Sequence, residues 1–206
     1  MDVQSNNDLQ RQILDTTRRL LISDGYAHLS MRKIAREIGY SATTIYLHFE
    51  NKDELVHSLI DEGVSRLHDT LLACSSDFKA EPASRLEKLC KHYVMFGLSN
   101  PEYYEIMYML HPVQMSRYPV VRYRRARQNL QILSSTYSDG VENGTFQDID
   151  PMLAASIIWS NMHGVVSLLL SERFDSRISR DIIVSESINR ILNGLKLTPV
   201  LEANKA

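Results

Sequence analysis

Ser41, Thr43 and Thr44 place three hydroxyls within four residues, after Gly39-Tyr40 and before Ile45-Tyr46. Hydroxyls at the front of a helix can hydrogen-bond to base edges or phosphates, and a threonine methyl suits the thymine methyl. Ala42 sits among them, at the same front. No Arg, Asn or Gln lies in this segment, so bidentate base reading has to come from elsewhere or be absent. Arg32 is the best candidate to supply it. Tyr46, His48 and Lys52 follow at once. Ser30, with the first amides of its helix, could bind another phosphate.

Such residues need a scaffold, and residues 30–49 supply one. Ile34, Ala35 and Ile38 form an apolar stripe on a helix over 31–38. Ala35 permits a close crossing, Gly39 suits the left-handed turn that ends a helix, and Ser41 is a good N-cap. Ile45 and Phe49 recur at helical spacing on a second helix over 42–48. A small crossing residue, a glycine turn and an apolar anchor make a helix-turn-helix, whose second helix enters the DNA major groove. Ile34, Ala35, Ile38, Ile45, Leu47 and Phe49 are assigned to the core. Tyr40 reads equally as turn packing or as a DNA contact. His48 has a second reading as a residue packed under the next helix, and Lys33 and Arg36 have one as a solvated face.

The run Tyr46-Leu47-His48-Phe49-Glu50-Asn51-Lys52-Asp53-Glu54-Leu55 resembles the end of the DNA-binding domain in tetracycline-repressor-type regulators. The resemblance covers about residues 9 to 60, including Ile13, Leu14, Leu20, Leu21 and Asp24-Gly25-Tyr26. It implies phosphate contacts at Tyr46, His48 and Lys52, which set register and affinity but carry little sequence information, and an all-α fold of about nine helices. Residues 1–54 would be a three-helix DNA-binding domain, and residues 55–206 a helical ligand-binding and dimerisation domain. It further implies a cytoplasmic homodimer on a palindromic double-stranded operator, a small-molecule effector, and regulation that is most often repression. Activation by the same fold stays open, as does a ligand-binding protein without operator function.

The remaining helices follow from periodicity and caps. The first spans about 8–23. Asn51 with Glu54 suggests a capping box opening a helix to about Ser75. Residues 77–81 read as a linker, with a helix from Pro82. Asn100-Pro101 and Asp150-Pro151 both read as a cap followed by proline at the first helical position. A short aromatic helix over 102–110 follows the former. A helix with Tyr123, Ala126, Leu130, Leu133, Tyr137 and Val141 on one face ends at Asn143-Gly144. The helix over 152–170 is apolar nearly all round and demands cover on every side. A last helix, 179–196, carries the stripe Val184, Ile188, Ile191 and Leu195. The resemblance makes these last two helices of each copy a four-helix dimer interface.

Tyrosine and methionine crowd residues 93–123. Tyr93, Phe96, Tyr104, Met107, Tyr108, Met115 and Tyr123 are candidate lining for a largely apolar effector, with tyrosine hydroxyls as polar handles. Trp159 and His163 are four apart and share a helix face, and Gly164 beside them permits close helix approach. The Trp-x-x-x-His-Gly pattern resembles a subgroup of the family's sensor domains. A satisfied core or interface histidine is the equal alternative for His163. Arg117, Arg122, Arg124, Arg125 and Arg127 read first as a solvated face and second as capture of an acidic ligand.

Composition limits the other classes. A net charge of -2 over 206 residues argues against a general polyanion binder. Arg11, Arg18, Arg19, Arg32, Lys33, Arg36 and Lys52 nevertheless cluster in the first quarter. No stretch nears the roughly 18 uncharged apolar residues of a membrane helix, so no membrane partner is expected. Cys74 and Cys90 form no metal-type spacing, and neither a metal nor a cofactor is expected. No Gly-x-Ser-x-Gly elbow, P-loop or paired metal-ligand motif occurs. His92, His111 and His163 with Cys90 have no spacing that supports a catalytic triad. An enzyme is not expected.

Overall fold

The structure is a computed structural model and describes residues 3–75, 80–110, 112, 113 and 115–197. Among these it has nine α-helices and no strand, apart from one antiparallel bridge between Phe146 and Lys196. They are α1 (Val3–Asp24), α2 (Met31–Ile38), α3 (Ala42–Tyr46), α4 (Lys52–Ser75), α5 (Pro82–Ser99), α6 (Pro101–Tyr104), α7 (Tyr123–Glu142), α8 (Pro151–Leu170) and α9 (Arg180–Leu195). A π turn, Glu105–Met109, continues α6, and a 3-10 turn, Val120–Arg122, leads into α7. Most of the 77–81 linker, and His111, lie outside the described residues.

The chain forms two compact units. The first comprises residues 1–66 and 100–124, the second 67–99 and 125–206. In the first, α1, α2 and α3 close over Ile13, Leu20, Leu21, Ile34, Ala35, Ile45 and Phe49, all buried. The α4 residues Leu55, Val56 and Leu59 are fully buried as well. Tyr103 lies between the guanidinium groups of Arg18 and Arg66, whose carbons sit 4.9 and 4.7 Å from its ring centroid. Its hydroxyl accepts from Arg18 at 2.6 Å. Gly63 makes room beside it: a methyl there would lie 2.5 Å from Met107 Sδ and 3.3 Å from the Tyr103 ring.

In the second unit α5, α8 and α9 pack together through Val165, Leu169 and Ile183, joined by Leu98, Phe174 and Val184. Phe146 stacks on Tyr137 with centroids 4.9 Å apart and planes 4° apart. Gly140 leaves the space the Phe146 ring fills. Arg85 pairs with Asp139 at 2.8 Å.

Several sequence expectations need correction. The buried stripe of α9 is Ile183, Ile188, Leu192 and Leu195, so Val184 and Ile191 only flank the core. The face of α7 is turned toward Asn129, Leu133, Ser134, Thr136, Tyr137 and Gly140. Hydroxyls that bond back into their own helix, as Thr136 Oγ1 does to Ile132 O at 3.0 Å, can be buried where the hydropathy pattern looks for leucine. Glu54 accepts from the Glu50 amide at 2.5 Å, one residue ahead of the cap, while Asn51 caps the Glu54 amide at 2.9 Å. The bonds are those of a capping box displaced by one residue. By length and composition α8 is apolar enough to cross a membrane, contrary to the sequence expectation, and 39% of its apolar window is buried. Its outward face includes Leu153 at 54% exposure and Leu168 at 41%. Among the described residues no helix comes close to Gly164, since a methyl there would meet nothing within 4 Å.

Candidate DNA interface and sensor residues

The reading head is built from caps. The Ser30 hydroxyl accepts from the Lys33 amide at 3.2 Å and opens α2. Gly39 closes α2 at φ 75° and ψ 26°, the left-handed region, and the Tyr40 amide reaches back to Ala35 O at 2.9 Å. This six-to-one bond is a Schellman closure, available here because glycine carries no Cβ. Two residues later Ser41 Oγ accepts from the Thr44 amide at 3.1 Å and opens α3. Ser41 Oγ also lies 2.8 Å from Thr44 Oγ1, so the two hydroxyls share a proton contact at the front of the recognition helix.

The candidate DNA residues fall on this head. Ser30, Arg32, Ser41 and Thr43 are exposed, Ala42, Thr44 and His48 are half-buried, and Tyr46 is 54% exposed. Among the described residues neither Arg32 nor Arg36 has an ion-pair partner, so both offer a free guanidinium. Lys52 is held: its ammonium lies 4.0 Å from the Tyr26 ring centroid and donates to Tyr26 O at 3.4 Å. Lys33 pairs with Asp24 at 2.5 Å.

The wider basic cluster is largely neutralised within the unit. Arg11 pairs with Asp15 at 2.5 Å and Glu62 at 2.6 Å, Arg18 with Glu102 at 2.9 Å, and Arg19 with Glu37 at 2.8 Å. The hydrogen bond from Arg11 holds the Asp15 carboxyl below the usual carboxylate range. Burial pushes the Glu62 carboxyl up, and the bonds from Arg11, Tyr103 and Arg66 outweigh it, leaving it depressed.

Leu47 was assigned to the core and is not there: it is 80% exposed. It stands two residues from buried Ile45, about 200° around a helix, and so faces away from the anchor. It lies one residue past the end of α3 and adds exposed apolar surface on the side away from Ile45, an orientation the spacing itself could have shown.

The sensor candidates divide between the units. In the first, Tyr104 is fully buried with its ring 4.9 Å from that of Tyr108, and Met107 packs beside Gly63. Met115 is half-buried, and Tyr123, 45% exposed, meets Tyr118 edge-on at 4.9 Å. In the second, Trp159 Nε1 donates to the Tyr93 hydroxyl at 3.1 Å, and the Trp159 and His163 rings lie 5.6 Å apart. Phe96 is buried. Burial holds His163 below the ordinary imidazole value, so it is neutral near pH 7 and offers one donor and one acceptor. The sequence reading missed the buried pair of His68 and Asn129, 2.8 Å apart, because it joins residues 61 apart. Arg122 leaves the basic run, bound to Asp61 at 2.9 Å.

Residues 13–59 match the model of bacterial regulatory proteins of the tetR family, and residues 86–194 match that of the tetracyclin repressor-like C-terminal domain. The chain belongs to the TetR family. As a TetR-family protein it is a DNA-binding transcriptional regulator and not an enzyme. A helix-turn-helix-type transcriptional regulator of Haemophilus influenzae is 43% identical over 68 residues, 33% of this chain and 36% of that one, so this match spans about a third of that relative's length. The fatty acid metabolism regulator protein of Bacillus subtilis is 26% identical over 162 residues, covering 76% of this chain and 80% of that one. The fold of AibR, solved in complex with isovaleryl coenzyme A and operator DNA, superposes with a TM-score of 0.69 at 22% identity, covering 88% and 96% of the two chains. Regulators of the TetR family bind operators and small-molecule effectors, typically as dimers.

Proposed function

We propose that this TetR-family chain is a cytoplasmic homodimeric repressor of a palindromic operator, released by a small, largely apolar molecule. The observation that carries the reading is the front of α3 behind a glycine turn, where Ser41 and Thr43 are exposed and Thr44 is half-buried, flanked by Tyr46 and Arg32. In this reading residues 1–54 are the reader and 55–206 the sensor and dimerisation domain. Ser30, Tyr46, His48 and Lys52 take phosphates, Arg32 reads a base, and the α3 front reads base edges. Support for a second copy comes from α8: Leu153, Ile157 and Leu168 are exposed on it, and Gly164 leaves open space. A two-fold dimer then spaces its recognition helices about 34–36 Å apart on successive major grooves.

Candidate apolar surface for the effector is Tyr93 and Phe96 in the second unit and, by itself, Tyr104, Met107, Tyr108, Met115 and Tyr123 in the first. Trp159 and His163 supply polar contacts, and with Gly164 they mark the Trp-x-x-x-His-Gly subgroup. A carboxylic acid or acyl derivative with an apolar chain is the class we favour. The relatives' names point to fatty acids and to isovaleryl coenzyme A, and Arg117 and Arg124 are exposed without an ion-pair partner among the described residues. The effector moves the equilibrium only by its difference in affinity between the bound and released states.

The test is binding of the purified chain to the DNA flanking its own gene against a scrambled competitor, over a salt series. Tyr46→Ala and Lys52→Ala should weaken binding to all sequences alike, by about 1 kcal/mol each, while Thr44→Ala should change the preferred sequence. Equal losses for both classes on matched and scrambled duplex would refute this division of roles.

A further inference from the structure

Asp53, His57 and Asp61 recur every fourth residue along α4, and each grips the connection that leads into α7. Asp53 Oδ2 accepts from the Ser116 amide at 3.0 Å, and His57 Nε2 lies 3.2 Å from the Ser116 carbonyl. Both backbone groups of one residue are therefore held by side chains one helical turn apart. Tyr118 donates its hydroxyl to Asp61, which also takes Arg122 at 2.9 Å, and the His57 ring meets Tyr118 edge-on at 5.4 Å. The second oxygen of Asp53 accepts from the Tyr26 hydroxyl. Tyr26 in turn holds Lys52, through its ring face at 4.0 Å and its carbonyl at 3.4 Å. Burial alone would push the Asp53 carboxyl up, but the bonds from Tyr26 and Ser116 prevail and keep it ionised.

We propose that Asp53 is a positioning residue for the DNA-phosphate contact of Lys52. It links the seating of Ser116 to Tyr26 and through Tyr26 to the ammonium, so that the connection before α7 is an input that sets the grip on DNA. This rests on the reading that Lys52 meets a phosphate. The chemistry suits the task. A carboxylate can bind two donors at once, and a charge-assisted bond is stronger than a neutral one. Unseating Ser116 removes one of the two donors and frees Asp53 to shift, and with it the tyrosine that carries Lys52.

The experiment uses the full chain and a duplex recovered by selection from a random library, with affinity followed over salt for Lys52→Ala, Asp53→Asn and Tyr26→Phe, singly and combined. Tyr26→Phe removes only the hydroxyl and keeps the ring and carbonyl that touch Lys52, so it stays informative even if Asp53→Asn unfolds. Lys52→Ala should reduce the slope of log affinity against log salt by about 0.9. Tyr26→Phe and Asp53→Asn should each weaken binding about two- to tenfold, and neither should add to the loss already caused by Lys52→Ala. Additive losses overturn the link, as does a Tyr26→Phe protein that binds and titrates like the parent. An unchanged salt slope for Lys52→Ala removes the phosphate contact and the link together, yet leaves operator reading intact. A parent chain that selects no duplex overturns the operator reading as well.

Discussion

In the unit that carries the helix-turn-helix, Arg11, Arg18, Asp53 and Asp61 end in bonds to groups 51 to 92 residues away along the chain. In the unit that carries Trp159, Val165, Leu169, Ile183 and the Tyr137–Phe146 stack give an apolar centre, beside which fewer polar pairs, Arg85–Asp139 and His68–Asn129 among them, reach across the chain. The difference teaches how each should respond to its surroundings. Ion pairs and charged hydrogen bonds weaken with acid and salt. Apolar packing is indifferent to both and sensitive to a missing atom.

The largest expected effect lies in the packed unit. Phe146→Ala empties a site that is 1% exposed and removes a stacked partner from Tyr137. It should cost about 3–5 kcal/mol in urea unfolding, and a cost below about 1 kcal/mol would mean that this stack does not hold the unit together. An intermediate effect should come from acid. Asp15, Asp53 and Glu62 are all depressed below their ordinary values. Their contribution is complete above the unfolded carboxylate range and lost as pH falls through the lower folded values. Helix content should therefore begin to fall below about pH 4 before the fluorescence of Trp159, the chain's one tryptophan, reports any change. Glu62→Gln should remove about 1 kcal/mol at neutral pH and make the acid loss shallower. If fluorescence and circular dichroism move together on acidification, the contrast between the units fails. The smallest effect should be Arg19→Ala, since Arg19 and Glu37 are 59% and 35% exposed. A change within about 0.5 kcal/mol is expected in thermal unfolding, and a larger one would show that even the outermost pairs hold the reader.

Features governed by neighbouring residues were legible. The caps at Ser41, Asn51 and Asp150, the turn at Gly39 and the stop at Asn143-Gly144 all depend on a side chain and an amide a few residues apart. The hydroxyl front of α3 was legible for the same reason. The phases of α7 and α9 were not, because several residues compete for each stripe and packing partners elsewhere in the chain choose among them. Nor were the pairings of Arg11 with Glu62 or Asp53 with Ser116, since charge does not reveal which distant partner it will meet. The basic cluster therefore promised more positive surface than the reader presents, and Arg32 and Arg36 keep what Arg11, Arg18 and Arg19 have given to carboxylates.

The 24-residue helix α4 runs without a break through the division of the two units at Arg66 and Leu67, and the match to the family's DNA-binding model ends within it at residue 59. There is thus no loop at which one reading head can be exchanged for another. A chimera must be spliced inside a helix, and each residue gained or lost at the joint turns everything beyond it by about 100° and shifts it by about 1.5 Å. Operator specificity can be transplanted onto this chain only in register.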